Sequence, residues 1–184
     1  MITSDHLQVP IGTEKKSMKC VIQRVSSASV RLQAGLANNR PIRQQQPDFE
    51  SKIGRGLLCL VGLEANDSSQ DLEYIAKKIL ALRLWPDDAD KPWNHNVAQV
   101  QGSILCVSQF TLSARTRKGT RPDFSKAMAP DRAKGMYEEF IAKLRGLAAQ
   151  SGVAVQDGVF AAMMDVELVN DGPVTILLDS TNDG

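Results

Sequence analysis

Only two stretches of this chain carry the 3.6-residue rhythm of an amphipathic helix; every other apolar run is short and strand-like. Leu72, Ile75, Ala76, Ile79 and Leu82 recur at helical spacing behind a cap at Asp67 or Ser68. This helix must end near Trp85-Pro86, because proline disfavours helical backbone at the residue before it. The second stripe is Ala133, Met136, Tyr137, Phe140, Ile141, Leu144 and Leu147, opened by Pro130 and stopped by Gly152. Strand-like runs lie at Cys20–Val25, prolonged by Ser29–Leu32, at Leu57–Leu63, at Ile104–Leu112 and at Val153–Val155. In the tail, Met164, Val166 and Leu168 alternate with Asp165 and Glu167. Asn170-Asp171-Gly172-Pro173 then reads as a turn, and Val174 to Leu178 as a buried closing strand. Strands outnumber helices and the last of them are tightly joined, so much of the sheet is expected to be antiparallel.

A chain of 184 residues fits one domain with a sizeable core and not two. Residues 1–17 read as a weakly ordered extension without the apolar core of a secretory signal, and residues 18–184 as the folded domain. Within it, residues 33–52, with Gln44-Gln45-Gln46-Pro47, read as a solvated loop inserted between strands. No apolar run reaches the ~20 residues of a membrane span. The net charge of +1 leaves nucleic-acid binding to a local patch and not to bulk attraction.

Cys20, Cys59 and Cys106 lie in apolar runs with no CxxC spacing, which argues for buried thiols in a reducing, cytoplasmic compartment. With His6 in the polar leader, His95 is the only plausible working imidazole, so a multi-histidine metal site is excluded. Gly54-Arg55-Gly56 precedes a strand and lacks a third glycine, so it is a turn and not a dinucleotide fingerprint. Asp87-Asp88-Ala89-Asp90 lacks the glycine and distal glutamate of a calcium loop.

Four features stand out as places for chemistry. Arg24 shares a strand face with Cys20 and Ile22, so it needs a partner or an edge position. Ser108-Gln109-Phe110-Thr111-Leu112 puts two hydroxyls and an amide at the end of an apolar strand, to bind an ester or to finish a sheet edge. Gly172-Pro173 is a turn or something more. Arg115, Arg117, Lys118, Arg121 and Lys126, against the single acid Asp123, are either a phosphate grip or a solvated face.

These residues carry a resemblance. From Met18 to Ser180 the chain resembles the D-aminoacyl-tRNA deacylases, also called D-tyrosyl-tRNA deacylases. The likeness lies in Ile22-Gln23-Arg24-Val25, in Ser108-Gln109-Phe110-Thr111-Leu112, in Lys118-Gly119 with Arg121-Pro122-Asp123-Phe124-Ser125-Lys126, and in Val169-Asn170-Asp171-Gly172-Pro173-Val174-Thr175. It implies an α/β fold of the mixed α+β kind, a three-layer β/β/α sandwich with largely antiparallel sheets and two main helices. It implies a homodimer with sites at the subunit interface, tRNA as partner, no membrane, and neither metal nor organic cofactor. The implied reaction is hydrolysis of the ester joining a D-amino acid, or glycine, to the terminal adenosine of tRNA.

Residue by residue, Gly172-Pro173 resembles the family's Gly-cisPro motif, which enters the partner's pocket and faces the substrate α-carbon. Arg24 resembles the arginine that holds this motif. Ser108, Gln109, Phe110 and Thr111 resemble the pocket wall, and Phe160 and Met164 fall where the family contacts the terminal adenine. Ala161 stands where many members have glycine, and Lys91-Pro92-Trp93-Asn94 departs from the usual Lys-Met-Asn.

An aminoacyl ester is already activated, so positioning and donors aimed at the developing oxyanion suffice; backbone N–H groups near Phe110 and Thr111 are the candidates. No histidine accompanies Thr111 to make it a nucleophile, which favours assistance by the substrate's own 2′-hydroxyl. A non-enzymatic nucleic-acid-binding module built on the 113–126 loop is the rival reading, and some members of the family are associated with DNA binding at replication origins. A thiol hydrolase on Cys106 and His95 has no supporting spacing.

Overall fold

A computed structural model of the chain describes residues 17–32, 49–117 and 119–181. The fold is mixed α+β, with six strands in one strongly bent sheet and two long helices among the described residues. The strands are β1 (Lys19–Leu32), β2 (Glu50–Ile53), β3 (Gly56–Gly62), β4 (Ser103–Ser108), β5 (Val155–Asp157) and β6 (Met164–Asp179). The helices are α1 (Ser69–Ala81), between β3 and β4, and α2 (Pro130–Ala149), between β4 and β5.

Both helices form where the apolar spacing places them. Ser68 caps α1, its N–H donating to Asp71 Oδ2 at 2.9 Å, and Pro130 opens α2. Each helix is a crossover, so β3–β4 and β4–β5 are parallel, as such connections require. Among the described strands, every antiparallel pairing involves β1, which pairs with β3 through residues 19–25, with β2 through 28–31, and with β6 along its other edge. Antiparallel order is thus confined to the half of the sheet that lacks helical connections.

The near-continuous apolar runs of β3 and β4 follow from burial on both faces. Leu57, Cys59, Val61, Ile104 and Cys106 point into a core shared with Ile75, Ile79, Phe140 and Leu144 of the helices. Leu58, Leu105 and Val107 point the other way, into a second apolar layer with Val25, Ala28, Val30 and Ile53. The sheet therefore folds over itself: β2 packs on β4 and β5 without hydrogen-bonding to either. This gives two β layers and one α layer.

Five sequence expectations need correction. The loop expected over 33–52 does not extend to its end, because Glu50–Ile53 pairs with β1; residues 33–48 lie outside the described residues. The strand expected to run to Leu112 stops at Ser108 and becomes a 3₁₀ turn, Phe110–Ser113. The short strand near 153 begins at Val155. The tail is one strand and not two joined by a turn, because both halves of β6 find β1 as partner. Only Leu178 of its closing segment is buried, and Leu177 is 62% exposed. The Ser17 N–H, one residue before Met18, donates to Asp67 Oδ1 at 3.1 Å, and residues 1–16 lie outside the described residues.

The three cysteines are free and buried, as expected. The Cys59 neighbour and burial hold the Cys106 thiol well above its ordinary pKa, which leaves no basis for a Cys106 nucleophile. Among the described residues, no helix is long and apolar enough to cross a membrane.

Candidate active site

The register of β1 against β6 shifts twice, between Gln23 and Val25 and between Val25 and Ser27, and the larger shift is the first. Gln23 pairs with Thr175 and Val25 with Asn170, so Arg24 alone faces the excursion 171–174. Asn170 ties its two feet together: Nδ2 donates to Arg24 O at 2.8 Å and to Val174 O at 3.2 Å. Its Oδ1 accepts from Gln23 Nε2 at 3.1 Å and from Thr175 Oγ1 at 3.2 Å.

Arg24 is the partner-seeking charge noted above, and it is not an exposed edge residue. Its side chain is 14% exposed and pairs through Nε with Asp171 Oδ2 at 3.1 Å. The same Nε donates to Asp171 O at 3.3 Å, and Nη1 donates to Leu84 O. The guanidinium thereby clamps the residue before Gly172 to the end of the α1 connection. The Gly172–Pro173 peptide is cis, as the resemblance implies, and both residues are exposed. Gly172 has φ +119°, and a Cβ there would lie 2.7 Å from Val174 Cγ2 and 3.0 Å from Arg24 Nη2. Asn170 and Asp171 are the residues whose roles the sequence reading missed; as turn formers they gave no sign that they were anchors.

The polar cluster sits at the opposite end. Gln109 N–H donates to Val61 O at 2.7 Å, closing the β4 ladder before the chain turns. The 3₁₀ turn can fold onto β3 because residue 62 is glycine: a Cβ would meet Leu112 Cβ at 2.9 Å. Gln109 Nε2 donates to Thr111 Oγ1 at 2.6 Å, which orients the hydroxyl. The N–H groups of Phe110 and Thr111 open the turn and donate to no backbone acceptor outside it. Thr111 is exposed, and His95 pairs its backbone with Trp85, next to the Leu84 that Arg24 grips. His95 therefore belongs to the Arg24 end of the fold and not to the Thr111 end.

Phe160, on the connection from β5 to β6, and Met164, the first residue of β6, flank the same end as Ser108. Gly158 N–H donates to Cys106 O at 3.0 Å, and Val159 N–H to Met164 Sδ at 3.3 Å. Phe160 is half-buried against Tyr137 of α2, with ring centroids 5.8 Å apart. Ala161 has φ +58°, which explains why glycine is the easier residue there. Ala161→Gly is expected to stabilise the fold by about 1 kcal/mol, raising Tm by roughly 2–4 °C in a thermal melt. An unchanged or lower Tm would show that the left-handed turn is not strained.

The basic segment loops out from the 3₁₀ turn. Arg115 and Asp123 close it by backbone pairing at 2.8 and 2.9 Å. Hydrogen bonds from the Ser125 N–H and hydroxyl hold the Asp123 carboxyl below its usual pKa. Arg117 and Arg121 are exposed, Lys126 is half-buried, and Lys118 lies outside the described residues.

One chain brings Ser108, Gln109, Phe110, Thr111, Phe160, Met164 and the basic loop to the carboxyl ends of β3, β4 and β5. It does not bring Gly172-Pro173 there. Arg24, on β1 beside the β6 excursion, is level with Leu57 and Ser108 with Val61, and β6 and β4 lie three positions apart in the sheet. Strand spacings then put the two groups about 13 Å apart along the sheet and about 14 Å across it.

The described site can be set beside known proteins. The family model for D-Tyr-tRNA(Tyr) deacylase matches residues 21–179. A D-aminoacyl-tRNA deacylase of Parabacteroides distasonis is 47% identical over 165 residues, covering 90% of this chain and 99% of the relative. One of Yarrowia lipolytica is 43% identical over 167 residues, with the same shares covered. A solved structure named c-Myc DNA Unwinding Element Binding Protein superposes with TM-score 0.72 at 40% identity, covering 87% of this chain and 97% of that one. The family match spans every strand but the first two residues of β1, both helices and each part of the candidate site, and so the chain belongs to the D-Tyr-tRNA(Tyr) deacylase family.

Proposed function

We propose that this protein hydrolyses the ester between a D-amino acid, or glycine, and the terminal adenosine of tRNA, releasing free tRNA and the amino acid. The observation that carries the mechanism is the separation just described. The hydroxyl-and-amide wall and the exposed Gly172-Pro173 are each half a site, and they stand at opposite ends of one chain. A homodimer supplies the missing half: Gly172-Pro173 of one copy enters the pocket lined by Ser108–Thr111 of the other. The outer edge of β6, with Val169 58% and Leu177 62% exposed, suits such pairing.

In this arrangement the Gly172 and Pro173 carbonyls accept from the substrate ammonium. Gly172 lacks a Cβ, so backbone approaches the α-carbon directly and leaves no space for a side chain on one side of it. Selection then reads the α-carbon and not the side chain, which admits varied D-amino acids and glycine. The Phe110 and Thr111 N–H groups face the developing oxyanion. Thr111, already accepting from Gln109, positions the ester, and the vicinal 2′-hydroxyl of the substrate assists attack. Phe160 and Met164 border the adenine. No step needs a metal or a cofactor.

The deciding experiment compares D-tyrosyl-tRNA with L-tyrosyl-tRNA. The D substrate and glycyl-tRNA should be cleaved and the L substrate spared; equal rates would remove the reading. A tRNA ending in 2′-deoxyadenosine should react far more slowly, whereas Thr111→Ala keeps measurable turnover. An acyl group trapped on Thr111 would reverse the roles of the two hydroxyls.

The loop cations hold phosphates in this reading. Replacing Arg117 and Arg121 with alanine should raise KM, flatten its dependence on salt by about one to two counterions, and leave the D-over-L ratio unchanged. Unchanged salt dependence would make the loop a solvated face. A module that only binds nucleic acid would need these cations but would give no task to the Arg24 clamp on Asp171 or to the oriented Thr111.

A further inference from the structure

We propose that Phe110 and Phe124 form an aromatic platform that stacks an unpaired base of the acceptor strand upstream of the terminal adenosine. This rests on the deacylase reading above and adds a second point of grip to it.

The two rings are held edge-to-face, with centroids 5.1 Å apart and planes at 68°. Phe110 is 56% exposed and Phe124 36%, although the core buries Phe140 completely. Exposing such rings carries a solvation cost that a surface turn can avoid with polar residues. Their placement is specific. Phe110 lies between Gln109 and Thr111, so the platform starts at the wall where the ester must sit. Phe124 lies one ring further out, inside the basic loop.

The surrounding charge selects the partner. Among the described residues, Arg117 and Arg121 join no salt bridge, and the loop's one acid, Asp123, is occupied by Ser125. An exposed aromatic pair flanked by cations suits a polyanion with free π faces, which describes unpaired nucleotides. A base-paired stem has phosphates but no free face to stack. The occupant is therefore the single-stranded stretch immediately before the terminal adenosine.

The test uses the full chain with Phe124→Ala, Phe124→Leu and Phe124→Trp. The readout is kcat/KM on D-tyrosyl-tRNA divided by kcat/KM on D-tyrosyl-adenosine, which has no upstream nucleotide. Phe124→Ala and Phe124→Leu should lower this ratio about tenfold, and Phe124→Trp should restore it. A leucine variant with the wild-type ratio would mean that apolar volume alone matters and would overturn the platform. So would conversion of a dimer to monomers by Phe124→Ala in sedimentation, because the ring would then be covered by a second subunit. A parallel assay needs no catalysis: fluorescence anisotropy of an uncharged acceptor-stem hairpin, with and without its unpaired 3′ nucleotides. The wild-type chain should prefer the unpaired end about tenfold and Phe124→Ala should lose that preference. Equal binding of both hairpins would overturn the platform, whereas absence of deacylation with the preference intact would overturn only the enzyme reading.

Discussion

Gly172→Ala is expected to lower hydrolysis of D-aminoacyl-tRNA about 100-fold or more while leaving the chain folded. The new Cβ would lie 2.7 Å from Val174 Cγ2, 3.1 Å from Val174 N and 3.0 Å from Arg24 Nη2, and at φ +119° it occupies backbone space that side chains avoid. Relief requires the excursion to move away from Arg24, and a shift of about 1 Å at a positioning group suffices for a loss of that size. Gly172 and Pro173 are exposed and belong to neither apolar layer, so cooperative melting should persist. The D-over-L ratio should fall along with the rate. Retention of both in steady-state kinetics would remove Gly172 from the site.

Phe110→Pro should be nearly as damaging, by a different route. Proline is tolerated at the first position of a helical turn, and Gln109 before it, with φ −140° and ψ 78°, lies outside the helical region that a following proline disfavours. The substitution deletes the N–H proposed to face the oxyanion, for which a loss of about 10²–10³ in kcat is expected. Phe110→Ala removes the ring but keeps the N–H and sets the baseline. The two damaging variants also test the shared site. In a mixed dimer of Gly172→Ala and Phe110→Pro chains, one site collects both defects and the other collects none. Random mixing should restore about a quarter of wild-type activity from two nearly inactive proteins. Failure to recover activity, with mixed dimers demonstrated by mass spectrometry, would place each whole site within one chain.

The parts of this molecule that were readable in advance are those governed by local periodicity. Leu72 to Ile79 and Ala133 to Leu144 state their helices plainly, and the unbroken apolar run of Leu57–Val61 states its burial on two faces. What the sequence hid was pairing at a distance. Asn170-Asp171-Gly172-Pro173 has the composition of a turn, and nothing local says that residues on both sides of it pair with the same strand. Glu50–Ile53 joins a sheet only because Ala28–Arg31 is there to receive it. At the site, the polar cluster and the lone Arg24 announced themselves by standing in apolar surroundings. The anchoring role of Asn170 did not, because a side chain bridging two strands looks, in sequence, like any turn asparagine.

The dependence of one strand on three others also orders events during synthesis. β1 emerges first, yet its outer edge stays unpaired until β6, the final strand described, has left the ribosome. Nascent chain of this kind presents a long ladder of open N–H and C=O groups, the template on which aggregation begins. Closure must therefore bridge the greatest separations in the fold, a topology that folds slowly. Premature termination between residues 112 and 163 leaves a fragment with the Ser108–Thr111 wall exposed and no strand to seal β1, so chaperone protection matters most for the longest incomplete chains.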